Sequence, residues 1–139
     1  MHTRKQGGFT LIEIMVVVVI IGILAALIAP NIIGRDDQAR ATAAKSDMNA
    51  ISQALDLYKM DNYRYPTTDQ GLDALVTQPE GARNWPQGGY LKQSPQDPWG
   101  NPYVYISPGA TRAYELKTFG ADGREGGENY DADISLYDN

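Results

Sequence analysis

Two groups of side chains in this sequence have the types and spacing to do chemistry, and both are carboxylates. Glu13 is the only charged residue between Phe9 and Ala29, in an otherwise apolar run. A carboxylate inside hydrocarbon is costly and is kept where it has a partner. An ordinary anchor would place Leu or Val there, so Glu13 points to assembly. The second group lies near the C-terminus: Asp122, Glu125, Glu128, Asp131, Asp133 and Asp138, against the single cation Arg124. Gly120, Gly123, Gly126 and Gly127 are interleaved with them and permit tight turns that aim carbonyl oxygens inward. Hard oxygens on such a loop suit a Ca²⁺ ion, which takes roughly six to eight of them. The spacing is not that of an EF-hand, because Arg124 and Gly126 stand where that motif requires Asp or Asn. By composition alone the segment reads as a solvated acidic loop.

Other chemistries find little support. The one histidine is His2 and there is no cysteine, which removes the usual nucleophile–base pairs, soft-metal ligand sets and disulfides. Carboxylate pairs exist, but no cleft-forming domain surrounds them, and Gly120-Ala121-Asp122-Gly123 does not open a helix as a phosphate loop would. Catalysis is not expected. The formal net charge of −5, with no basic patch, argues against nucleic acid as a partner. Trp85, Trp99, Tyr103, Tyr105 and Tyr114 are read as core and loop anchors rather than a sugar platform.

The elements that must position these groups follow from the pattern. Phe9 to Ala29 is close to the ~20 apolar residues that span a bilayer as a helix. Val16 to Ile21 is apolar on every side, as a lipid-facing or bundle-core helix requires. The small residues Gly22, Ala25, Ala26 and Ala29 would let helices approach closely. His2, Arg4 and Lys5 precede the run, which places the N-terminus in the cytoplasm and the rest beyond the membrane. A cleaved secretory signal shares that basic start and apolar core. Glu13 and the length of the segment argue against it.

Pro30 is expected to bend the helix rather than end it. Ala41, Ala44, Met48, Ile51, Leu55 and Tyr58 continue at three- and four-residue intervals, an apolar stripe suited to covering a sheet. Pro66 is expected to stop the helix. Thr67-Thr68-Asp69-Gln70 reads as a capping box opening a short helix with Leu72, Leu75 and Val76 on one face. Residues 77–102 are rich in Pro and Gly, and Trp85, Tyr90, Leu91 and Trp99 mark them as an ordered loop rather than a linker. Tyr103–Ile106 and Ala113–Thr118 read as a hairpin turning at Ser107–Ala110, with a third short strand over Ile134–Tyr137.

Gly7-Gly8-Phe9-Thr10-Leu11-Ile12-Glu13 resembles the processing site of type IV pilins and pseudopilins. The resemblance implies cleavage between Gly8 and Phe9 by a prepilin peptidase, N-methylation of Phe9, and pairing of Glu13 with the terminal amine of a neighbouring subunit. Further blocks narrow it: Tyr65–Leu75, Gly89-Tyr90-Leu91, Pro95–Tyr103 with its Asp97-Pro98-Trp99-Gly100, Phe119–Gly123 and Asp131–Ile134. In order along the chain they resemble the major pseudopilins of type II secretion systems. The family's C-terminal loop binds calcium, which by resemblance assigns Asp122, Asp131 and Asp133 as ligands, with the backbone oxygens of Phe119 and Arg124. Asn129 stays open as an alternative to Asp131.

The reading is therefore an α+β, type IV pilin-like fold, with a long N-terminal helix on a small antiparallel sheet. A leader of residues 1–8 and a membrane or filament-core helix of 9–29 precede a periplasmic domain of 30–139. That domain comprises an amphipathic helix (30–62), a loop-and-sheet region (63–118) and the calcium loop (119–139). By resemblance the chain is the major structural subunit of a helical periplasmic filament that exports folded proteins. Its expected partners are other copies of itself, minor pseudopilins, the prepilin peptidase and an inner-membrane secretion platform. Two alternatives are a surface pilus subunit, disfavoured by the missing cysteine pair, and an anchored periplasmic binding domain that never polymerises.

Overall fold

The computed structural model describes residues 7–138, the side chains of 28–33 excepted. The leader residues His2, Arg4 and Lys5 and the side chain of Pro30 lie outside the described residues. The chain divides into two compact units, Met1–Asp36 and Asp37–Asn139. Helix α1 (Leu11–Asn62) begins in the first and ends in the second, and continues without a break through Pro30.

Among the described residues nothing covers the helix in the first unit. Every large apolar side chain from Phe9 to Leu27 is at least 51% exposed. Among the described residues no helix is long and apolar enough to cross a membrane. The span expected over 9–29 extends into residues whose side chains fall outside that description.

In the second unit α1 buries the expected stripe from Ala44 onward, while Ala41 is only half-buried. Ala44, Met48, Ile51, Leu55 and Tyr58 are within 2% of full burial, and Ala54 joins them. The helix ends at Asn62, as the expected bound of 30–62 has it, ahead of Pro66. Tyr63 adopts a left-handed backbone (φ 64°) while its N–H still bonds the Lys59 carbonyl at 2.7 Å. That conformation ends the helix before the proline is reached.

The capping box is present in both directions. Thr67 N–H donates to Gln70 Oε1 (3.0 Å) and Gln70 N–H to Thr67 Oγ1 (3.3 Å). It closes a turn rather than a helix, because Gly71 follows at φ 59° and only a 3₁₀ turn, Leu72–Leu75, comes after. Leu72, Ala74 and Leu75 are buried, and Val76 is half-buried.

The sheet has three antiparallel strands in the order β1 (Val104–Ile106), β2 (Glu115–Thr118), β3 (Ile134–Ser135). Tyr105 pairs with Leu116, and Thr118 with Ile134. The strands are shorter than the pattern predicts. The Gly109 N–H bonds the Ala113 carbonyl, which keeps Ala113 in the turn. β3 closes after Ser135, whose N–H bonds the Asp138 carboxylate at 2.7 Å. Along β2 Leu116 and Thr118 are buried, while Glu115 and Lys117 are only partly covered. Tyr103, Tyr105, Tyr114 and Leu116 meet the α1 stripe in one core, against which Trp85, Tyr90 and Leu91 of the long loop pack.

Candidate functional site

The N-terminal site is organised by a second capping box. Thr10 N–H donates to Glu13 Oε2 at 2.8 Å, and Glu13 N–H reaches Thr10 Oγ1 at 3.4 Å. Two of the unpaired N–H groups that every helix start presents are thereby satisfied. Glu13 is exposed and adds a negative charge to the first turn, where the helix dipole favours it. Gly8 and Phe9 lie just before α1 in irregular, exposed chain, and Phe9 is 86% exposed. Thr10 was not anticipated as Glu13's partner. The signal was present, since Thr10-Leu11-Ile12-Glu13 has the same capping-box spacing recognised at Thr67–Gln70.

The C-terminal site hangs from β2 and β3. Lys117, on β2, reaches Asp133 Oδ2 (3.4 Å) and Glu125 Oε1 (3.5 Å), and stands 5.2 Å from the centre of the Phe119 ring. Glu125 is 78% exposed, so its pair with Lys117 contributes ~0–1 kcal/mol. Asp133 Oδ1 accepts the Gly126 N–H at 3.0 Å, so both of its oxygens are engaged. Asp122 Oδ1 accepts the Arg124 N–H two residues on at 3.0 Å. Asn129 holds a left-handed backbone (φ 54°) at the start of a 3₁₀ turn over Asn129–Asp131.

Gly120 (φ 73°) and Gly127 (φ 98°) make this path possible. A Cβ on Gly120 would stand 2.7 Å from the Tyr130 carbonyl oxygen and 2.8 Å from that of Ala132, and one on Gly127 would collide with the Asp131 carbonyl. Carbonyl oxygens thus press around two glycines, a cradle that any side chain would fill. Among the described residues no three Asp, Glu, His or Cys side chains converge as a metal cluster. Asp122, Asp131 and Asp133 are consequently on one loop but not gathered at one point. The donor chemistry, carboxylates alternating with backbone carbonyls, fits a hard cation such as Ca²⁺.

Sequence reasoning also missed Asp97 and Thr118, the polar residues buried with the core at 4% and 0% exposure. Asp97 Oδ1 accepts the N–H groups of Trp99 (3.1 Å) and Asn101 (2.8 Å), and Oδ2 accepts the Thr118 hydroxyl. The Asp-Pro-Trp-Gly-Asn string carries the mark of an Asp-initiated turn. Its link to Thr118 spans 21 positions and has no local signal.

Comparison with known proteins places these features in context. Residues 31–137 match the family described as "Type II secretion system (T2SS), protein G". Residues 3–29 match the "Prokaryotic N-terminal methylation motif". The chain is 58% identical over 142 residues to the type II secretion system core protein G of Pseudomonas aeruginosa, covering 100% of both. It is 56% identical to that of Vibrio cholerae, over 94% of this chain and 91% of the relative. The crystal structure of the major pseudopilin from the type 2 secretion system of enterohaemorrhagic Escherichia coli is similar at a TM-score of 0.65 and 41% identity. That match covers 76% of this chain and 93% of the other.

Proposed function

This chain belongs to the type II secretion system protein G family, and from that premise we propose how its two carboxylate sites serve it. It is a major pseudopilin, a structural subunit with a type IV pilin-like fold, membrane-anchored and periplasmic. In this reading the leader stays in the cytoplasm, residues 9–29 cross the inner membrane, and residues 30–139 face the periplasm. The prepilin peptidase cuts between Gly8 and Phe9, where the chain is exposed and irregular, and methylates the new amine of Phe9. The subunit then joins other copies, capped by minor pseudopilins and driven by the inner-membrane platform. The resulting filament exports folded proteins across the outer membrane.

The observation that carries the reading is the bare apolar helix from Phe9 to Leu27. An apolar surface open on all sides requires lipid first and neighbouring helices later. Glu13 gives the later state its register. Thr10 occupies one carboxylate oxygen, and the other is available to the Phe9 amine of the next subunit. A charge-assisted bond of that kind in low dielectric offsets the burial of both groups.

Calcium belongs to the same reading. Asp122 and Asp131 with the carbonyls of Phe119 and Arg124 would hold it, and Asp133 would join by exchanging Lys117 for the ion. When bound, the ion supplies a fixed positive charge that ties the acidic loop together. With no disulfide available, it staples a small domain that has few other staples.

Intact mass and N-terminal sequencing of protein from its own cell test the processing. A chain beginning at methylated Phe9 is expected, and one beginning at Met1 beside an active peptidase would overturn it. The Glu13→Leu variant is expected to be cleaved and inserted yet to form no filament. Normal filaments from that variant would show that Glu13 does not set assembly.

A further inference from the structure

We propose that Asp97 and Thr118 form a buried positioning relay that anchors the start of the acidic loop, from which its ligands must close on the cation. The inference rests on the calcium reading above but concerns residues that touch no ion. Thr118 is the last residue of β2, and the loop begins immediately after it. Its hydroxyl donates to Asp97 Oδ2, and Thr118 Oγ1 itself accepts the Gly120 N–H at 3.3 Å. Asp97 thereby acts on the first turn of the loop through one intermediate atom.

A second contact runs between the same two segments. The side chain of Asn101, whose own N–H bonds Asp97 Oδ1, packs at 3.0 Å from the point where a Gly123 Cβ would stand. The turn over residues 97–101 therefore reaches the loop at Gly120 through the Thr118 hydroxyl and meets it directly at Gly123, on either side of Asp122. At Gly123 the Asn101 side chain stands where a Cβ would need space.

The energetics give the carboxylate a reason. A buried charge without a cation is costly and is kept where several donors satisfy it. Here three do: two backbone N–H groups and the Thr118 hydroxyl. An amide would serve the turn equally well through its one oxygen. At Thr118 it would reverse the bond, because an Asn nitrogen donates where the Asp oxygen accepts, and the hydroxyl proton would lose its acceptor. Asp and Asn therefore differ at the relay and not at the turn. A residue that orients the groups touching a metal typically changes metal affinity by ~10–100-fold when removed.

The test uses the full chain in detergent micelles, stripped with chelator and titrated with CaCl₂ by calorimetry. Wild type is compared with Asp97→Asn, Thr118→Val and Thr118→Ser. Asp97→Asn and Thr118→Val are expected to weaken calcium binding by ~10-fold or more. Thr118→Ser, which keeps the hydroxyl, should stay near wild type. Amide exchange in chelator adds a readout free of metal, with Gly120 and Ala121 exchanging faster in the two disruptive variants. Calcium affinity unchanged in both variants would overturn the relay as a positioning device and leave Asp97 as packing alone. Wild type that takes up no calcium would sink the calcium reading instead. The exchange arm then decides the relay by itself, and unchanged protection at Gly120 and Ala121 would overturn it too.

Discussion

Asn62 uses both halves of its amide to join the end of α1 to the long loop. Its oxygen accepts the N–H groups of Arg83 (2.9 Å) and Asn84 (3.3 Å), and its nitrogen donates to the carbonyls of Tyr58 (3.2 Å) and Asn84 (3.0 Å). Truncation leaves backbone donors and acceptors of that loop without partners, each worth ~1–3 kcal/mol where water cannot replace the bond. Because the Arg83 and Asn84 groups are exposed and water can replace part of these bonds, Asn62→Ala is expected to lower unfolding stability by about 1 kcal/mol, read as a fall in urea midpoint at unchanged slope. Asp61 sits beside it and accepts the Tyr90 hydroxyl at 2.6 Å, so the loop is pinned at adjacent helix positions. Composition shows an ordered loop here, since aromatic anchors are visible in it. Which polar residue ties it down is set by a contact across 21 positions and is not visible.

At the scale of elements, α1 ends at a strained residue. Tyr63 is 88% exposed and holds φ 64°, a conformation that a side chain bearing Cβ adopts at a cost of ~1–2 kcal/mol. Glycine is the residue suited to that position after a helix. Tyr63→Gly is expected to raise stability by about 0.5–1 kcal/mol, the strain relieved less the added freedom of the unfolded chain. A guanidinium titration monitored at the helix signal checks this. A lower midpoint would show that the exposed ring contributes packing that its exposure denies. The helix ends at Asn62, the bound that the sequence pattern predicts, with Pro66 the visible breaker just beyond it. Backbone geometry chose Tyr63 first, and Pro66 became a buried residue whose carbonyl accepts the Tyr105 hydroxyl at 2.8 Å.

At the scale of the whole molecule, the core is rich in tyrosine. Burial pushes the Tyr105 hydroxyl up to about 12 from an ordinary 10.0. Tyr103 is raised as well, first by burial and then by the Asp47 carboxylate beside it. In the unfolded chain these phenols lose their protons near pH 10, while in the folded protein they keep them longer. Their contribution to stability is thus complete below pH 10 and lost as pH climbs toward 12. The melting temperature is expected to hold up to about pH 9 and to fall between pH 10 and 12, with phenolate absorbance rising in the same step. Phenolate appearing well before the loss of structure would contradict the burial of these rings.

The residue order by itself determined the anchor, its misplaced carboxylate, the helix stripe from Ala44 to Tyr58 and the three-strand sheet. All are periodic or local signals, in which each residue's neighbours in sequence are also its neighbours in space. The family blocks around Asp97 and Gly120 were legible as blocks, but not as one unit. Only tertiary structure decided that Asp97, Thr118 and Gly120 share a chain of hydrogen bonds, that Lys117 holds Asp133, and that Asn101 sits over Gly123. Those contacts depend on the register of β2 and on where the long loop comes to rest. Register follows from the burial of Leu116 in one core with the helix stripe and of Thr118 beside Asp97, a condition no short window of sequence contains.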